Sequence, residues 1–188
     1  MGTNSEFQFG GINHLALVSS DMARTVDFYT NVLGMPLIKT LEIPGGAQHF
    51  FFDCGNNTSI AFFWFPNAPA HAPGIAGAAQ MPGGGNIVSA HGSMNHLAFD
   101  VPADKFDEYV EKLKAKGVEV SMVLNHDDSE TTIAKELHPG VFVRSVYFRD
   151  PDGVLLEFAA WTKTFGPEDV LVAPADAQGR RVATAGRA

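Results

Sequence analysis

Two stretches decide the fold: INHLALVSSDMARTVDFYTNVLGM at 12–35 and MNHLAFDVPADKFDEYVEKLKAKGV at 94–118. Each opens on Asn-His-Leu-Ala inside an apolar alternation of period two, the pattern of a strand with one buried face. Each then meets a helix start signal, Ser20-Asp21 in the first and Val101-Pro102-Ala103-Asp104 in the second. Met22, Val26, Tyr29 and Leu33 share one helical face, as do Phe106, Tyr109, Val110 and Leu113. Gly34 and Gly117 close the two helices, where a residue free to take φ > 0 is favoured.

Three strand-like runs follow each helix, at 36–43, 47–54 and 58–65 in the first half and at 118–124, 141–149 and 154–161 in the second. Turn signals separate them: Pro44-Gly45-Gly46, Gly55-Asn56-Asn57 and Asp150-Pro151-Asp152-Gly153. The chain therefore reads as α+β, two tandem βαβββ modules forming a curved mixed sheet around a metal-binding cleft. The modules span 10–65 and 93–162, after an extension at 1–9. A Pro/Gly/Ala-rich linker at 66–92 joins them, and an aperiodic tail follows at 163–188.

Composition narrows the function. A net charge of −8 over 188 residues argues against a nucleic-acid surface, which needs a basic patch. No apolar run approaches the roughly 18–20 residues that span a bilayer, and the first residues carry neither the basic head nor the apolar stretch of a signal peptide. The single cysteine, Cys54, forbids an internal disulfide and suits a reducing compartment, so a cytoplasmic protein is expected.

The repeat bears on chemistry because His14 and His96 hold equivalent places. Side chains alternate across a strand, so two matched histidines can face one cleft. A half-buried histidine bonded to backbone is the plainer account of either one alone; repetition at matched positions favours a ligand pair. Glu157, inside the apolar run GVLLEFAAW, is the candidate third ligand, since a buried carboxylate needs a partner. A salt bridge to Arg144 or Arg149 is the alternative. The matching place in the first module is Phe62 or a neighbour, which adds no carboxylate. Two imidazoles and one carboxylate leave coordination positions open, a set that suits non-haem Fe(II) and also binds Mn(II). Phe50, Phe51, Phe52, Phe62, Phe63 and Trp64 crowd two strands of the first module; two thirds are expected in the core, and the rest would suit a planar apolar substrate.

With His14, His96 and Glu157 on paired modules, residues 10–162 resemble the vicinal oxygen chelate superfamily, also called the glyoxalase/bleomycin-resistance/dioxygenase superfamily. The segment HPGVFVRSVYFRDPDGVLLEF, from His138 through Tyr147 to Glu157, looks like the signature of type I extradiol ring-cleaving dioxygenases. That resemblance implies an Fe(II)-dependent dioxygenase cleaving a catechol or related aromatic diol with O₂. His138 would be its acid/base and Tyr147 the holder of the catecholate oxygen. A loop histidine and a strand aromatic are the plainer accounts of these two. The sequence departs from the family at Asn57-Thr58-Ser59-Ile60, where many such enzymes carry a further histidine; His49, His71, His91 and His126 are the available substitutes. The superfamily also implies alternatives: a glyoxalase-like lyase or isomerase, a fosfomycin-type thiol transferase, or a metal-free binder of aromatic compounds. Its members often pair, so a homodimer is expected.

Overall fold

Asp21 opens helix α1 (Met22–Asp27) by accepting the backbone N–H of Arg24 at 3.1 Å, which satisfies one of the donors a helix start leaves free. The helix widens into a π turn over Phe28–Val32, and Gly34 follows at φ 72°. The computed structural model describes Ile12 and residues 14–43, 47–84, 89–91 and 93–165. The extension 1–9, the Pro44–Gly46 turn and the tail from 166 onward lie outside the described residues. Both modules belong to one compact unit, Phe9–Thr162.

The first module contributes β1 (His14–Ser19), β2 (Leu37–Ile43), β3 (Ala47–Gly55) and β4 (Thr58–Trp64). They form a sheet in the order β1-β4-β3-β2, with β1 parallel to β4 and the rest antiparallel. The second contributes β5 (Leu97–Asp100), α2 (Phe106–Ala115), β6 (Leu124–His126), β7 (Ile133–Ala134), β8 (Val143–Arg149) and β9 (Leu155–Trp161). Their order is β5-β9-β8-β6-β7, with β5 parallel to β9. The α+β class and the modular plan are as expected. Among the described residues the strands form two sheets, one per module, and β1 and β5 are edge strands that do not pair with each other.

The run 118–124 is a departure. It touches β8 through an isolated bridge, Val120 to Phe148, and regular pairing begins at Leu124. Ser121 is the cause. Its hydroxyl oxygen accepts the Tyr147 N–H at 2.9 Å while its own N–H donates to the Tyr147 carbonyl at 2.9 Å, so a side chain takes over a ladder bond.

One apolar core serves both modules. Met22, Phe28, Tyr29, Phe52, Ile60 and Phe62 from the first pack with Leu113, Phe148 and Leu156 from the second. The Tyr29 ring sits 5.3 Å from Phe52 and 4.8 Å from Phe62, and truncating such a buried ring costs about 3–5 kcal/mol. The Asp150–Gly153 turn is bolted across the same seam. The Tyr29 hydroxyl donates to Asp150 Oδ2 at 3.3 Å, and Asp152 accepts the backbone N–H of Ser20 at 3.0 Å together with its hydroxyl. The faces used for this packing are those opposite the histidines. On β1 the exposed residues are His14, Ala16 and Val18, whereas Leu17 joins the core. Among the described residues no helix is long and apolar enough to cross a membrane.

Asp150 makes the seam sensitive to pH. Burial pushes its carboxyl from the ordinary 3.8 up to about 6, so the folded chain holds this proton more tightly than the unfolded one. That contribution is complete below pH 4 and is lost as pH rises through 6, about 3 kcal/mol for a shift of this size. Asp150→Asn keeps an oxygen for the Asp152 and Val154 N–H groups, which bond at 2.9 and 2.8 Å. Urea unfolding should show wild type losing about 3 kcal/mol relative to Asp150→Asn between pH 4 and pH 7.

Candidate functional site

Glu157 lies midway along β9 and is 5% exposed. In the ladder it stands opposite Tyr147 on one side and Ala98 on the other, so all three share one face of the second sheet. His96, just before β5, brings Nε2 to 3.1 Å from Glu157 Oε2. Its ring meets Tyr147 edge to face at 5.6 Å. Burial pushes the Glu157 carboxyl up, but His96, Ser145 and Tyr147 together outweigh it and leave the group below its usual value. Burial, then the Glu157 charge, pushes the Tyr147 hydroxyl up to about 12, so it remains a proton donor at neutral pH. The arginine alternative is not realised. Arg144 pairs with Asp107 at 2.7 Å, and Arg149 donates to the carbonyls of Met81, Ala78 and Gly153.

His14 is on the other sheet. It is exposed, with Phe51 against it at 5.6 Å between ring centroids. Among the described residues no three His, Cys, Asp or Glu side chains stand close enough together to hold one ion. Among the described residues His96 and Glu157 meet within the chain, and His14, on the first sheet, does not join them. The cause is the seam, which joins the modules through the faces away from the histidines. The ladder also settles which residue matches Glu157. Ala98 pairs with Glu157 as Ala16 pairs with Ala61, so the counterpart is Ala61, and Phe62 points into the core.

The aromatic division is as expected. Phe50, Phe52, Phe62 and Trp64 pack in or against the core, while Phe51 and Phe63 share the His14 face. His49 stacks on Phe63 at 3.6 Å and leans on Phe51 at 4.3 Å; its Nε2 is buried without a hydrogen-bond partner. Burial first, then the nearby His14, hold this imidazole below its ordinary pKa.

His138 is tied into its own loop. Its Nε2 faces Asp127 Oδ2 at 3.2 Å and its Nδ1 accepts the Gly140 N–H at 3.0 Å. Asp127 also takes the Ser129 hydroxyl at 2.6 Å. Of the two residues read as catalytic, Tyr147 sits against Glu157, whereas His138 serves as a clamp for the 127–140 loop.

The donor pair fits a metal. The His96 and Glu157 atoms face each other at 3.1 Å, the spacing of two ligands about 2.1 Å from one ion at nearly a right angle. The sequence reading missed two neighbours of this pair. Ser145, fully buried on β8, lies one step along the same face. Asn95 brings Oδ1 to 2.8 Å from His96 Nδ1; its signal was the Asn-His pair that opens both repeats. Part of the linker also lies over this face, where Ala78 and Met81 pack on Leu124, Tyr147 and Leu155.

Comparison with known proteins agrees with this architecture. The chain is 35% identical over 68 residues to the fosfomycin resistance protein FosX of Listeria innocua, a match covering 36% of this chain and 42% of that protein. It is 26% identical over 151 residues to the metallothiol transferase FosB of Lysinibacillus sphaericus, covering 80% of this chain and 82% of the other. The crystal structure of a mutant FosX of Listeria monocytogenes, in complex with Mn(II) and 1S,2S-dihydroxypropylphosphonic acid, superposes with a TM-score of 0.51 at 22% identity, covering 84% of this chain and 96% of that one. Two of these relatives are named for fosfomycin resistance and one as a metallothiol transferase. The sequence profile of the glyoxalase/bleomycin resistance protein/dioxygenase superfamily matches residues 11–158, and the chain belongs to that superfamily.

Proposed function

We propose that this chain is a divalent-metal-dependent enzyme of non-oxidative type, which opens a small epoxide of the fosfomycin kind by adding a thiol or water. The observation that carries this reading is the triad on the second sheet: His96 and Glu157 spaced as ligands, with a protonated Tyr147 hydroxyl beside them. The likeness to a metallothiol transferase over four fifths of the chain points the same way. Mn(II), found with one FosX relative, is the leading candidate ion and Fe(II) the next.

His96 and Glu157 would hold the ion, with His14 of a second copy as third ligand, because His14 is exposed on an edge strand whose own chain leaves it apart from the pair. When bound, the metal supplies Lewis acidity to the epoxide oxygen. The thiol sulfur or water oxygen bonds to a ring carbon as the C–O bond breaks; the nucleophile gives up its proton and the released oxygen takes one up, so none is gained overall. Tyr147 donates a hydrogen bond to that oxygen as charge develops on it. The strap at Ala78 and Met81, pinned by Arg149, limits the size of what enters.

A second reading keeps the extradiol dioxygenase acting on a catechol with Fe(II) and O₂, and Tyr147 beside Glu157 is what favours it. The contacts of His138 with Asp127 and Gly140 engage both ring nitrogens within its own loop, which counts against the acid/base role that reading requires. One assay separates the two. Purified protein with Mn(II) under argon should convert fosfomycin to its thiol adduct or diol, detected by mass. O₂ uptake with Fe(II) and catechols, without any argon activity, would reverse the assignment. Tyr147→Phe should lower kcat about a hundredfold, whereas His138→Ala should leave kcat within a factor of about three, since its contacts lie within its own loop.

The shared site has its own check. His14→Ala and Glu157→Gln should each be inactive alone. Unfolded together and refolded, they should regain about a quarter of wild-type activity, because half the dimers then carry one intact site. No recovery would place the third ligand within one chain.

A further inference from the structure

We propose that Asn95 is a positioning residue for the metal site, holding the His96 imidazole in the tautomer that presents Nε2 to an ion. This rests on the reading of His96 and Glu157 as ligands. Both ring nitrogens of His96 face oxygen acceptors, Asn95 Oδ1 at 2.8 Å and Glu157 Oε2 at 3.1 Å. An acceptor at each end requires a proton on Nδ1 and, on Nε2, either a second proton or a metal ion. With Nδ1–H donated to Asn95, the Nε2 lone pair is left aimed at the space beside Glu157. In metal sites the partner of the non-ligating nitrogen fixes the ring and raises its basicity.

Asn95 is itself held from two directions. Its Nδ2 donates to the Ser89 hydroxyl at 3.0 Å, which keeps the amide oxygen turned towards His96. Its carbonyl accepts the Ala78 N–H at 3.4 Å, which joins it to the strap over the Tyr147 face. The approach is close enough that a Cβ on Gly77 would stand 3.3 Å from the Met94 carbonyl. The strap, Asn95 and His96 thus form one connected series, anchored at its far end where Arg149 bonds the Met81 carbonyl at 2.9 Å. The side-chain amide is the replaceable link, because the backbone bond to Ala78 survives any substitution at 95.

The test is Mn(II) affinity of the full-length protein, read by the electron paramagnetic resonance signal of free Mn(II) during titration. Asn95→Ala should weaken binding about 10–100-fold with the melting temperature of the metal-free protein unchanged. Asn95→Asp, which keeps the acceptor, should bind at least as tightly as wild type. Asn95→Ala binding like wild type, while Glu157→Gln binds no Mn(II), overturns the proposal and leaves the site intact. Tenfold weaker binding by Asn95→Asp also overturns it, and this arm decides alone if Asn95→Ala does not fold. Wild-type protein that takes up no Mn(II) instead sinks the ligand reading beneath it.

Discussion

Each sheet has two faces, and one of them has to be given up to hold the modules together. Here the surrendered face is the one bearing Phe52, Ile60 and Phe62 in the first module and Phe148 and Leu156 in the second. These large side chains meet around Tyr29 and leave the hydroxyl of that ring to Asp150. The rest of the architecture depends on this choice. The opposite faces carry His14 on one sheet, where it is exposed, and Tyr147 and Glu157 on the other, where part of the linker covers them. Both strands that open a module remain at an edge.

Edges and exposed apolar side chains are costly features for a protein that ends at its own boundary. Val18 is 50% exposed and Trp161 53%, and by strand alternation they share the faces of His14 and Glu157. An assembly in which β1 of one copy runs beside β5 of another would cover these residues and complete the ligand set in a single step. The proposed pairing of copies and the proposed chemistry therefore share one structural origin.

Much of this could be read from the chain alone, and the boundary falls where local pattern ends. The repeat gave both modules, because strand alternation and helix caps act over a few residues. The placement of Tyr147 opposite Glu157 followed from the short Asp150–Gly153 turn, which fixes the register of the hairpin. The pairing of His138 with Asp127 was not legible, because Asp127 lies on a loop whose path no short-range signal specifies. The run at 118–124 failed for a similar reason, since Ser121 replaces a backbone bond with a side-chain one and looks in sequence like an ordinary strand residue. The separation of His14 from His96 was the least legible of all. It depends on which face each sheet buries, and the alternation in β1 is equally consistent with either.

Ala61 carries the last consequence. It occupies the place that Glu157 fills in the other repeat, and an alanine there can hold neither an ion nor a proton. On the proposed reading, the repeat holds two copies of a scaffold and a single copy of the reactive centre. On that reading the first module supplies one histidine, and the rest of its His14 face is free to vary. The stacked His49, Phe63 and Phe65 rings are what that freedom has produced here. Divergence between relatives should accordingly gather on β3 and β4, where it changes what is recognised and leaves the reaction itself alone.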